Sequence, residues 1–289
     1  MLYLLVPVVM FIFTVFVPLV TALVYSFFEW KGGPQKTFIG IENYTQLFHD
    51  TTFWEAFSHN IYLVIACIIG QIGIAFILVL MINSKLVKCK GIHRTFGFFP
   101  STISAVCIGL IWNMIYHNKY GILNWFLKAI GRPDLCQVWL NNSKIVMLLV
   151  TIPLIWQYIG YYMVIILSAI ASISTDIFES AEIDGANRWQ MIRHITLPAL
   201  VPMITVMLLL SVGSIMRSDT GLFYQVTRNS GILYPTTQVI DSYVLNAIFK
   251  NSNFGFTAAT SFFQSIVGLL LMLFANGMVR KIAPENALF

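Results

Sequence analysis

The chain has few charged residues. They make up 10% of its 289 positions, whereas a typical soluble domain has about 25%. Hydrophobic residues account for 58% of the sequence. Because a soluble domain needs a largely polar, charged surface, this composition leaves no room for a large soluble domain. The chain is therefore predicted to be an integral membrane protein.

Motifs for catalysis and nucleotide binding are also absent. The sequence has no Gly-x-x-x-x-Gly-Lys-Ser/Thr phosphate loop and no His-Glu-x-x-His zinc pattern. Its five histidines fall in loops or at the ends of apolar runs, and its cysteines lack metal-ligand spacing: Cys67, Cys89, Cys107 and Cys136. These absences argue against a membrane-embedded enzyme and a metal site. They also predict that any ATP and magnesium are bound by another chain, with no cofactor in this one.

Long apolar runs recur along the whole sequence, and each is long enough to cross a bilayer as a helix. None shows the period-two alternation of a membrane β-barrel strand. The first run has no basic segment before it and no small-residue cleavage site, so it is interpreted as a retained span rather than a signal peptide. The fold class is thus an all-α integral membrane protein with six transmembrane helices: Leu2–Phe28, Ile61–Ile82, Phe96–Ile115, Ile145–Ile173, Leu197–Ile215 and Thr257–Val279.

Basic residues predict the orientation, because lysine and arginine concentrate in short cytoplasmic segments. Three short segments on one side carry them: Lys85, Lys88, Lys90 and Arg94, then Arg188 and Arg193, then Arg280 and Lys281. Nine more lie on the other side, spread over three longer segments. We expect a multi-pass protein of a bacterial plasma membrane with both termini in the cytoplasm.

One polar, patterned segment stands out between the fourth and fifth runs. It reads Glu179-Ser180-Ala181-Glu182-Ile183-Asp184-Gly185-Ala186 and is followed by Ile195-Thr196-Leu197-Pro198. Asp176 and Glu179 have capping-box spacing, which predicts a helix capped by Asp176. Gly185 permits a turn that a side chain would oppose. Asp184 precedes Arg188 by four residues, a favourable pair if helix resumes there, and Pro198 suits the start of the fifth span.

This segment resembles the Glu-Ala-Ala loop of binding-protein-dependent ABC importer permeases, of type I and MetI-like fold. Glu179, Ala181, Gly185, Ile195, Leu197 and Pro198 fall in register with that loop, and Asp184-Gly185-Ala186 with Trp189-Gln190 match its carbohydrate-importer version. Ser180, Ile192 and Ser174 depart from the common pattern, where Ala, Phe and Pro are usual. Without the resemblance, a capped amphipathic loop helix would be the simpler interpretation.

The resemblance implies a permease subunit rather than an enzyme. Its loop would couple to an ATPase through Glu179, Ser180, Ala181, Glu182, Asp184, Gly185, Ala186, Ile195, Leu197 and Pro198. The implied partners are a second homologous permease, two ATP-binding subunits and an extracellular solute-binding protein. The implied domains are 1–57 (first helix and outer loop), 58–282 (five-helix core with the coupling loop at 174–198) and 283–289 (cytoplasmic tail).

The substrate is less evident from the sequence. The stretch from Gly221 to Val244 resembles LplB-like permeases for oligosaccharides, and it contains a one-sided apolar pattern that predicts a helix at Thr237–Phe249. Polar residues within spans mark a candidate substrate path, with packing between helices as the alternative: Asn113, Gln157, Tyr158 and Tyr161. The other functional alternatives are a permease for a non-sugar solute and a secondary transporter, for which no buried ionisable residue is evident.

Overall fold

A computed structural model describes residues 2–84, 87–213, 217, 220–228 and 230–288. Lys85 of the basic cluster and Ile215, the predicted end of the fifth span, lie outside these residues. The described helices are α1 (Leu2–Phe11), α2 (Val17–Tyr25), α3 (Glu42–His49), α4 (Thr51–Cys67), α5 (Gly73–Asn83), α6 (Lys90–Phe98), α7 (Ala105–Ile115), α8 (Ile122–Ala129), α9 (Val146–Ala171), α10 (Thr175–Ile183), α11 (Arg188–Met191), α12 (Leu197–Gly213), α13 (Thr220–Thr227), α14 (Tyr234–Thr237), α15 (Ile240–Asn251) and α16 (Phe254–Ile282).

Short elements connect or continue these helices. Strands β1 (Phe28–Glu29) and β2 (Thr37–Phe38) form an antiparallel pair. Turns of π-helix and 3-10 helix cover Ile12–Phe16, Ile68–Ile72, Phe99–Thr102, Pro133–Leu135, Trp139–Asn141, Ile192–Thr196, Gly231–Leu233 and Pro284–Asn286. We call the end of the bundle that carries residues 174–187 the motif end, and the opposite end, with residues 116–145, the loop end.

The predicted spans are confirmed as helices, with shifted boundaries. Among the described residues, five uninterrupted helices are long and apolar enough to cross a membrane: Leu5–Tyr25, Thr51–Asn83, Val146–Ala171, Arg188–Gly213 and Phe254–Ile282. The first ends at Tyr25, before the predicted Phe28, because Phe28 pairs with Phe38 in the hairpin. The second starts ten residues before Ile61, so it includes Glu55. At 33 residues it is longer than a bilayer core requires, and its first turns extend beyond the apolar run.

The third predicted span, Phe96–Ile115, is not one straight helix. Lys90–Thr102 and Ala105–Ile115 are bent by 99° relative to each other. Pro100 lies in the 3-10 turn at the bend, where it lacks an N–H to continue the helix. The hydroxyls of Ser101 and Thr102 donate to the backbone oxygens of Phe98 and Phe99, both at 2.7 Å, which stabilises the break.

Two of the π-helical turns precede prolines within spans. Val17 N donates to Ile12 O just before Pro18, and Leu197 N donates to Ile192 O just before Pro198. A proline ring clashes with the carbonyl four residues earlier, and a π turn widens the backbone at that position. These turns let spans 1 and 5 continue through a proline.

Apolar packing holds the bundle in three clusters of buried side chains. One, near the loop end, includes Ile108, Val150 and Leu222; another, in the motif half, includes Val79, Met163 and Leu200. α9 crosses the bent third span at Gly160, where a Cβ atom would collide with the backbone of Gly97 and Phe98. The segment before the break therefore packs against the middle of α9, because only glycine lets the two backbones approach so closely there.

The third cluster fixes α15 to the loop end of the bundle. The sequence predicts a helix at Thr237–Phe249; it is confirmed, although the main helix is Ile240–Asn251 and follows the short α14. α15 packs against α4 and α16, with Ile240 and Ala247 buried beside Phe53. Asn60 Oδ1 of α4 accepts from Ile240 N at 3.0 Å, which anchors the start of α15.

A tyrosine–carboxylate contact joins the same two elements. Tyr243 donates its hydroxyl to Asp50, whose other oxygen caps α4 by accepting from Thr52 N at 2.8 Å. Burial raises the pKa of Tyr243, and the hydrogen bond and charge of Asp50 raise it further. Tyr243 therefore stays a neutral donor, and this single carboxylate fixes both the start of α4 and the face of α15.

The loop at residues 116–145 is organised around one buried asparagine, Asn124. Its Nδ2 donates to the backbone oxygens of Asn118 (2.9 Å) and Gln137 (3.1 Å), and its Oδ1 accepts from Trp139 Nε1 (2.7 Å). Only 3% of Asn124 is exposed. Nothing in the sequence alone marks Asn124, and the structure makes it the centre of the loop.

Asn124→Asp should destabilise this loop, because the substitution keeps the shape but replaces two donors with an oxygen facing two carbonyls. Each unsatisfied buried group costs about 1–3 kcal/mol. We expect a lower thermal melting midpoint of the purified protein in detergent. Asn118→Asp is the matched control, since Asn118 contributes its backbone oxygen and its side chain is exposed. Equal melting midpoints for the two variants would contradict the role of Asn124.

Candidate functional site

The patterned segment lies at the motif end as two helices joined by a turn. We call residues 174–198 the motif segment. α10 runs from Thr175 to Ile183, and α11 begins at Arg188 and continues through the π turn into span 5. The fifth span thus starts at Arg188, nine residues before the predicted Leu197. Residues 188–198 of the motif segment therefore belong to the same continuous helix as span 5.

The start of α10 differs from the predicted capping box. Ser174, rather than Asp176, is the N-cap residue, and its Oγ accepts from Asp176 N at 3.3 Å. Asp176 is instead in the first turn, where the positive end of the helix dipole stabilises its negative charge. The prediction placed the cap two residues late because Ser174 and Asp176 are both good capping residues.

The end of α10 explains Gly185. Ala186 N donates to Ala181 O at 2.9 Å and Gly185 N donates to Glu182 O at 3.1 Å, which together form a Schellman motif. This motif needs a left-handed residue after the cap, and Gly185 has a φ of +80°. The predicted turn at Gly185 is confirmed. No atom lies within 4 Å of the position that a Cβ of Gly185 would occupy, so the turn faces open space.

The start of α11 is a capping box that the sequence reasoning missed. Asn187 Oδ1 accepts from Gln190 N at 2.9 Å, and Gln190 Oε1 accepts from Asn187 N at 2.8 Å. The Asn-x-x-Gln spacing was the available signal. Because the turn separates Asp184 from Arg188, the two are not a helical pair, and that expectation is wrong.

The outward surface of the motif segment is acidic and apolar. Glu179, Ser180, Glu182, Asp184 and Gly185 are exposed, and Ala181 and Ala186 are half-buried between them. Two large apolar side chains also project from it: Ile183 is 86% exposed and Trp189 is 68% exposed. A cleft of about 340 Å³ beside the turn is lined by Ala181, Asp184, Gly185, Ala186, Gln190, Met191, His194 and Ile195.

Behind α10, a second cavity separates the motif segment from the bundle. It measures about 450 Å³, and Glu179, Glu182 and Arg188 line it together with Leu80, Asn83 and Ile170 from spans 2 and 4. The motif segment is thus a projecting surface with space on both sides.

Leu197 and Pro198 end the motif segment and lie within span 5. Pro198 was expected near the start of a helix, but it lies ten residues inside the helix that begins at Arg188. The preceding π turn widens the backbone, so the helix can continue through Pro198. Ile195 is half-buried and lines the cleft beside Gly185, so the second part of the motif lies next to the first.

Two of the four candidate path residues hold helices together. Asn113 Nδ2 donates to Val226 O of α13 at 2.8 Å, and Asn113 Oδ1 accepts from Arg228 Nε at 3.3 Å. Gln157 Nε2 lies 3.5 Å from Ile103 O at the break of the third span. Its Oε1 is buried and has no hydrogen-bond partner among the described residues. Both amides therefore contribute to packing between helices.

The two tyrosines of α9 are more accessible. Tyr158 is 36% exposed and Tyr161 is 50% exposed, and the Tyr161 ring makes an edge contact with Tyr162. Four aromatic side chains near the loop end differ in exposure: Trp112, Tyr116, Tyr120 and Trp125. Tyr116 is buried at 3% exposure against Trp112, whereas Tyr120 and Trp125 project outward. No group of three or more His, Cys, Asp or Glu that could hold a metal occurs in the described part of the chain.

The described helices include a set long and apolar enough to cross a membrane, and the exposed acidic and apolar motif segment is continuous with span 5. The chain belongs to the family described as "binding-protein-dependent transport system inner membrane component", whose model matches residues 85–285. This match includes the whole motif segment. The chain is thus an ABC importer permease located in the inner membrane, and it is not the ATPase.

Curated relatives are similar over almost the whole chain. "Probable ABC transporter permease protein YurN" of Bacillus subtilis is 31% identical over 93% of this chain and 92% of that protein. "Probable starch degradation products transport system permease protein AmyD" of Thermoanaerobacterium thermosulfurigenes is 29% identical over 83% of this chain and 79% of that protein.

A solved structure confirms the fold. A chain of a bacterial ABC transporter involved in the import of the acidic polysaccharide alginate superposes with a TM-score of 0.85 at 27% identity. The superposition covers 97% of this chain and 94% of that chain. A chain of a bacterial alginate ABC transporter in complex with an alginate pentasaccharide-bound periplasmic protein also superposes with a TM-score of 0.85 at 27% identity, over 97% of this chain and 93% of that chain. The type I importer permease fold expected from the sequence is thereby established.

Proposed function

We propose that the motif segment is the surface through which this permease couples to an ATP-binding subunit. The observation that carries this proposal is the Schellman turn at Gly185, which faces open space between exposed acidic and apolar side chains. Glu179, Glu182 and Asp184 provide acceptors for basic or amide groups of a partner. Ile183 and Trp189 provide apolar area, which is costly to leave in water. Leu197 and Pro198 lie within span 5, so the end of the motif segment is part of that span.

The complete importer is proposed to contain a second homologous permease, two ATP-binding subunits and an external solute-binding protein. The family description names a binding-protein-dependent system, and the similar alginate transporter binds a periplasmic protein. ATP and magnesium are assigned to the ATP-binding subunits, because this sequence has no phosphate-binding loop.

The proposed substrate is an oligosaccharide. The name of AmyD refers to starch degradation products, and the similar solved transporter imports alginate. Exposed Tyr158 and Tyr161 on α9 are suited to a sugar path, because their rings can stack on pyranose faces and their hydroxyls can bond sugar hydroxyls. We propose that Asn113 and Gln157 border the same path, in addition to their packing contacts.

Deleting this gene is expected to abolish uptake of radiolabelled maltooligosaccharides or alginate oligosaccharides, and complementation is expected to restore it. Uptake of amino acids and peptides should not change. If only a non-sugar solute lost uptake, the permease assignment would stand and the carbohydrate assignment would fall. Uptake that followed the proton gradient and needed no ATP would favour a secondary transporter instead.

The proposed orientation places the motif end in the cytoplasm. Lys88, Lys90 and Arg94 lie at this end with Arg188 and Arg193, as the distribution of basic residues predicts. Both termini are then cytoplasmic, because the six spans begin and finish at the motif end.

Thiol labelling of intact cells tests this orientation. Cys89 is exposed at the motif end, whereas Cys136 at the loop end is half-buried, with Sγ 3.5 Å from Asn124 O. Lys144→Cys therefore supplies a better reporter at the loop end, in a Cys107→Ser background. A membrane-impermeant maleimide should label Lys144→Cys and spare Cys89 until the cells are opened. Labelling of Cys89 alone on intact cells would reverse the assigned orientation.

A further inference from the structure

Helix α8 carries an apolar stripe that faces away from the protein. Ile122, Trp125, Phe126 and Ile130 recur at three- and four-residue steps, so they share one face. They are 64%, 68%, 52% and 54% exposed, respectively. α8 lies beyond the end of the third span, so its outward face is not part of a membrane-crossing helix. A surface helix of a soluble protein turns its apolar face towards the protein core, and α8 does the opposite with these four side chains.

The opposite face of α8 fixes its orientation. Asn124 is the buried centre of the loop described above, and Leu123 packs against the core cluster near the loop end. The helix also packs against α7 and the turn Pro133–Leu135. The Asn124 hydrogen bonds hold α8 in one rotation about its axis. The stripe is therefore presented outward by the fold.

The stripe continues an apolar surface of the bundle. On α7, which precedes α8, Ile111 and Met114 are 43% and 70% exposed along the side of the span. Tyr120, between the two helices, is 78% exposed. Tryptophan and tyrosine favour the depth at which hydrocarbon meets headgroups, because their rings are amphipathic. Exposed apolar side chains thus occur both on the side of a span and on α8, with Tyr120 between them along the chain.

Cationic side chains flank the stripe. Lys119 precedes the stripe along the chain and Lys128 lies between Phe126 and Ile130; both are exposed, and Lys119 Nζ lies 5.6 Å from the centre of the Tyr120 ring. Arg132 follows and pairs with Asp134, with Nε 3.2 Å from Oδ1. An apolar stripe with flanking lysines complements the anionic headgroup region of a bilayer, because the lysine stems cover apolar surface while their ammonium groups reach phosphate.

We infer that α8 is an interfacial helix that lies in the headgroup region of the leaflet at the loop end, with Ile122, Trp125, Phe126 and Ile130 inserted among lipid chains. The lysines at its flanks contact anionic phospholipid headgroups. α8 thereby anchors the loop of residues 116–145 to the membrane surface and fixes the depth of the third span. This inference does not depend on the transported solute or on the coupling role of the motif segment.

Depth measurements on the assembled transporter in nanodiscs test this inference. Single cysteines at Phe126 and Ile130 are labelled with a nitroxide, in a background with the four native cysteines replaced by serine and with transport retained. The nanodiscs contain phosphatidylcholine and phosphatidylglycerol. Relaxation by oxygen, which concentrates in lipid, is compared with relaxation by a water-soluble nickel chelate. Asp134→Cys is the matched control, because it is exposed close to α8 and off the stripe.

The ratio of oxygen to nickel accessibility should be several-fold higher at positions 126 and 130 than at position 134. Equal ratios at the three positions would overturn the inference. So would nickel accessibility at 126 and 130 that disappears only when the substrate-loaded binding protein is added, because the stripe would then be a protein-docking surface. A second arm with phosphatidylcholine alone should lower the ratio at 126 and 130 by weakening the lysine contacts.

Discussion

Gly185→Leu is expected to lower both transport and binding-protein-stimulated ATP hydrolysis about tenfold or more, a loss that corresponds to about 1.4 kcal/mol. The turn requires a φ of +80°, and an L-residue with a side chain in that region costs about 1–2 kcal/mol. The new side chain would also project into the space that the proposed ATP-binding subunit occupies. The measurement is ATPase activity and uptake of the reconstituted complex, with membrane insertion checked by immunoblot.

Gly131 provides a closely matched control for this prediction. It ends α8 with the same motif: Arg132 N donates to Leu127 O at 2.8 Å and Gly131 N donates to Lys128 O at 3.1 Å. Its φ is +77°, and no atom lies within 4 Å of its Cβ position. Gly131→Leu therefore imposes a similar backbone cost at the other end of the bundle. If it impaired ATPase stimulation as strongly as Gly185→Leu, the coupling explanation would be lost.

Gly160→Leu is expected to prevent the third span from packing against α9. A Cβ at this position would lie 2.5 Å from Phe98 Cα and would collide with the backbone of Gly97. Backbone atoms cannot rotate away as a side chain can, so the helices must separate. Overpacking of this kind costs about 3 kcal/mol or more. We expect a steep loss of folded protein in the membrane, measured by fluorescence-detected size-exclusion chromatography.

Gly73→Leu is the control, because Gly73 lies in span 2 with no atom within 4 Å of its Cβ position. It should yield normal amounts of folded protein. Gly160→Ala should fall between wild type and Gly160→Leu. A normal yield from Gly160→Leu would mean that the third span does not cross α9 as described.

Hydropathy was sufficient to predict the spans, because crossing a bilayer imposes a length and a composition that few other structures share. It could not predict the bend in the third span. Pro100 alone does not identify a break, since Pro153 lies inside the continuous helix α9 and Pro202 inside α12. The bend depends on Gly97 and Gly160 meeting, and those residues are 63 positions apart in the sequence. Contacts of that kind are fixed by tertiary packing.

The motif segment was more predictable than its caps. Gly185 was identified correctly, because few residues other than glycine adopt a left-handed turn without cost. The N-cap was misplaced at Asp176 because Ser174 competes with it. Asn124 was missed because an asparagine gives no signal of burial in the sequence, whereas the Asn187–Gln190 capping box was missed although its spacing was visible. The candidate path residues were chosen by polarity, which does not separate a packing amide from one that contacts a solute.

The most direct test of the coupling proposal is photo-crosslinking from the motif segment of the complete importer. A benzoylphenylalanine at Ile183, which is 86% exposed at the motif end, is compared with one at Ile232, which is 81% exposed at the loop end. Mass spectrometry then identifies the captured subunit. We predict that position 183 captures the ATP-binding subunit, that the yield changes with a non-hydrolysable ATP analogue, and that position 232 never captures it. Capture of the ATP-binding subunit from position 232, and not from position 183, would contradict the account.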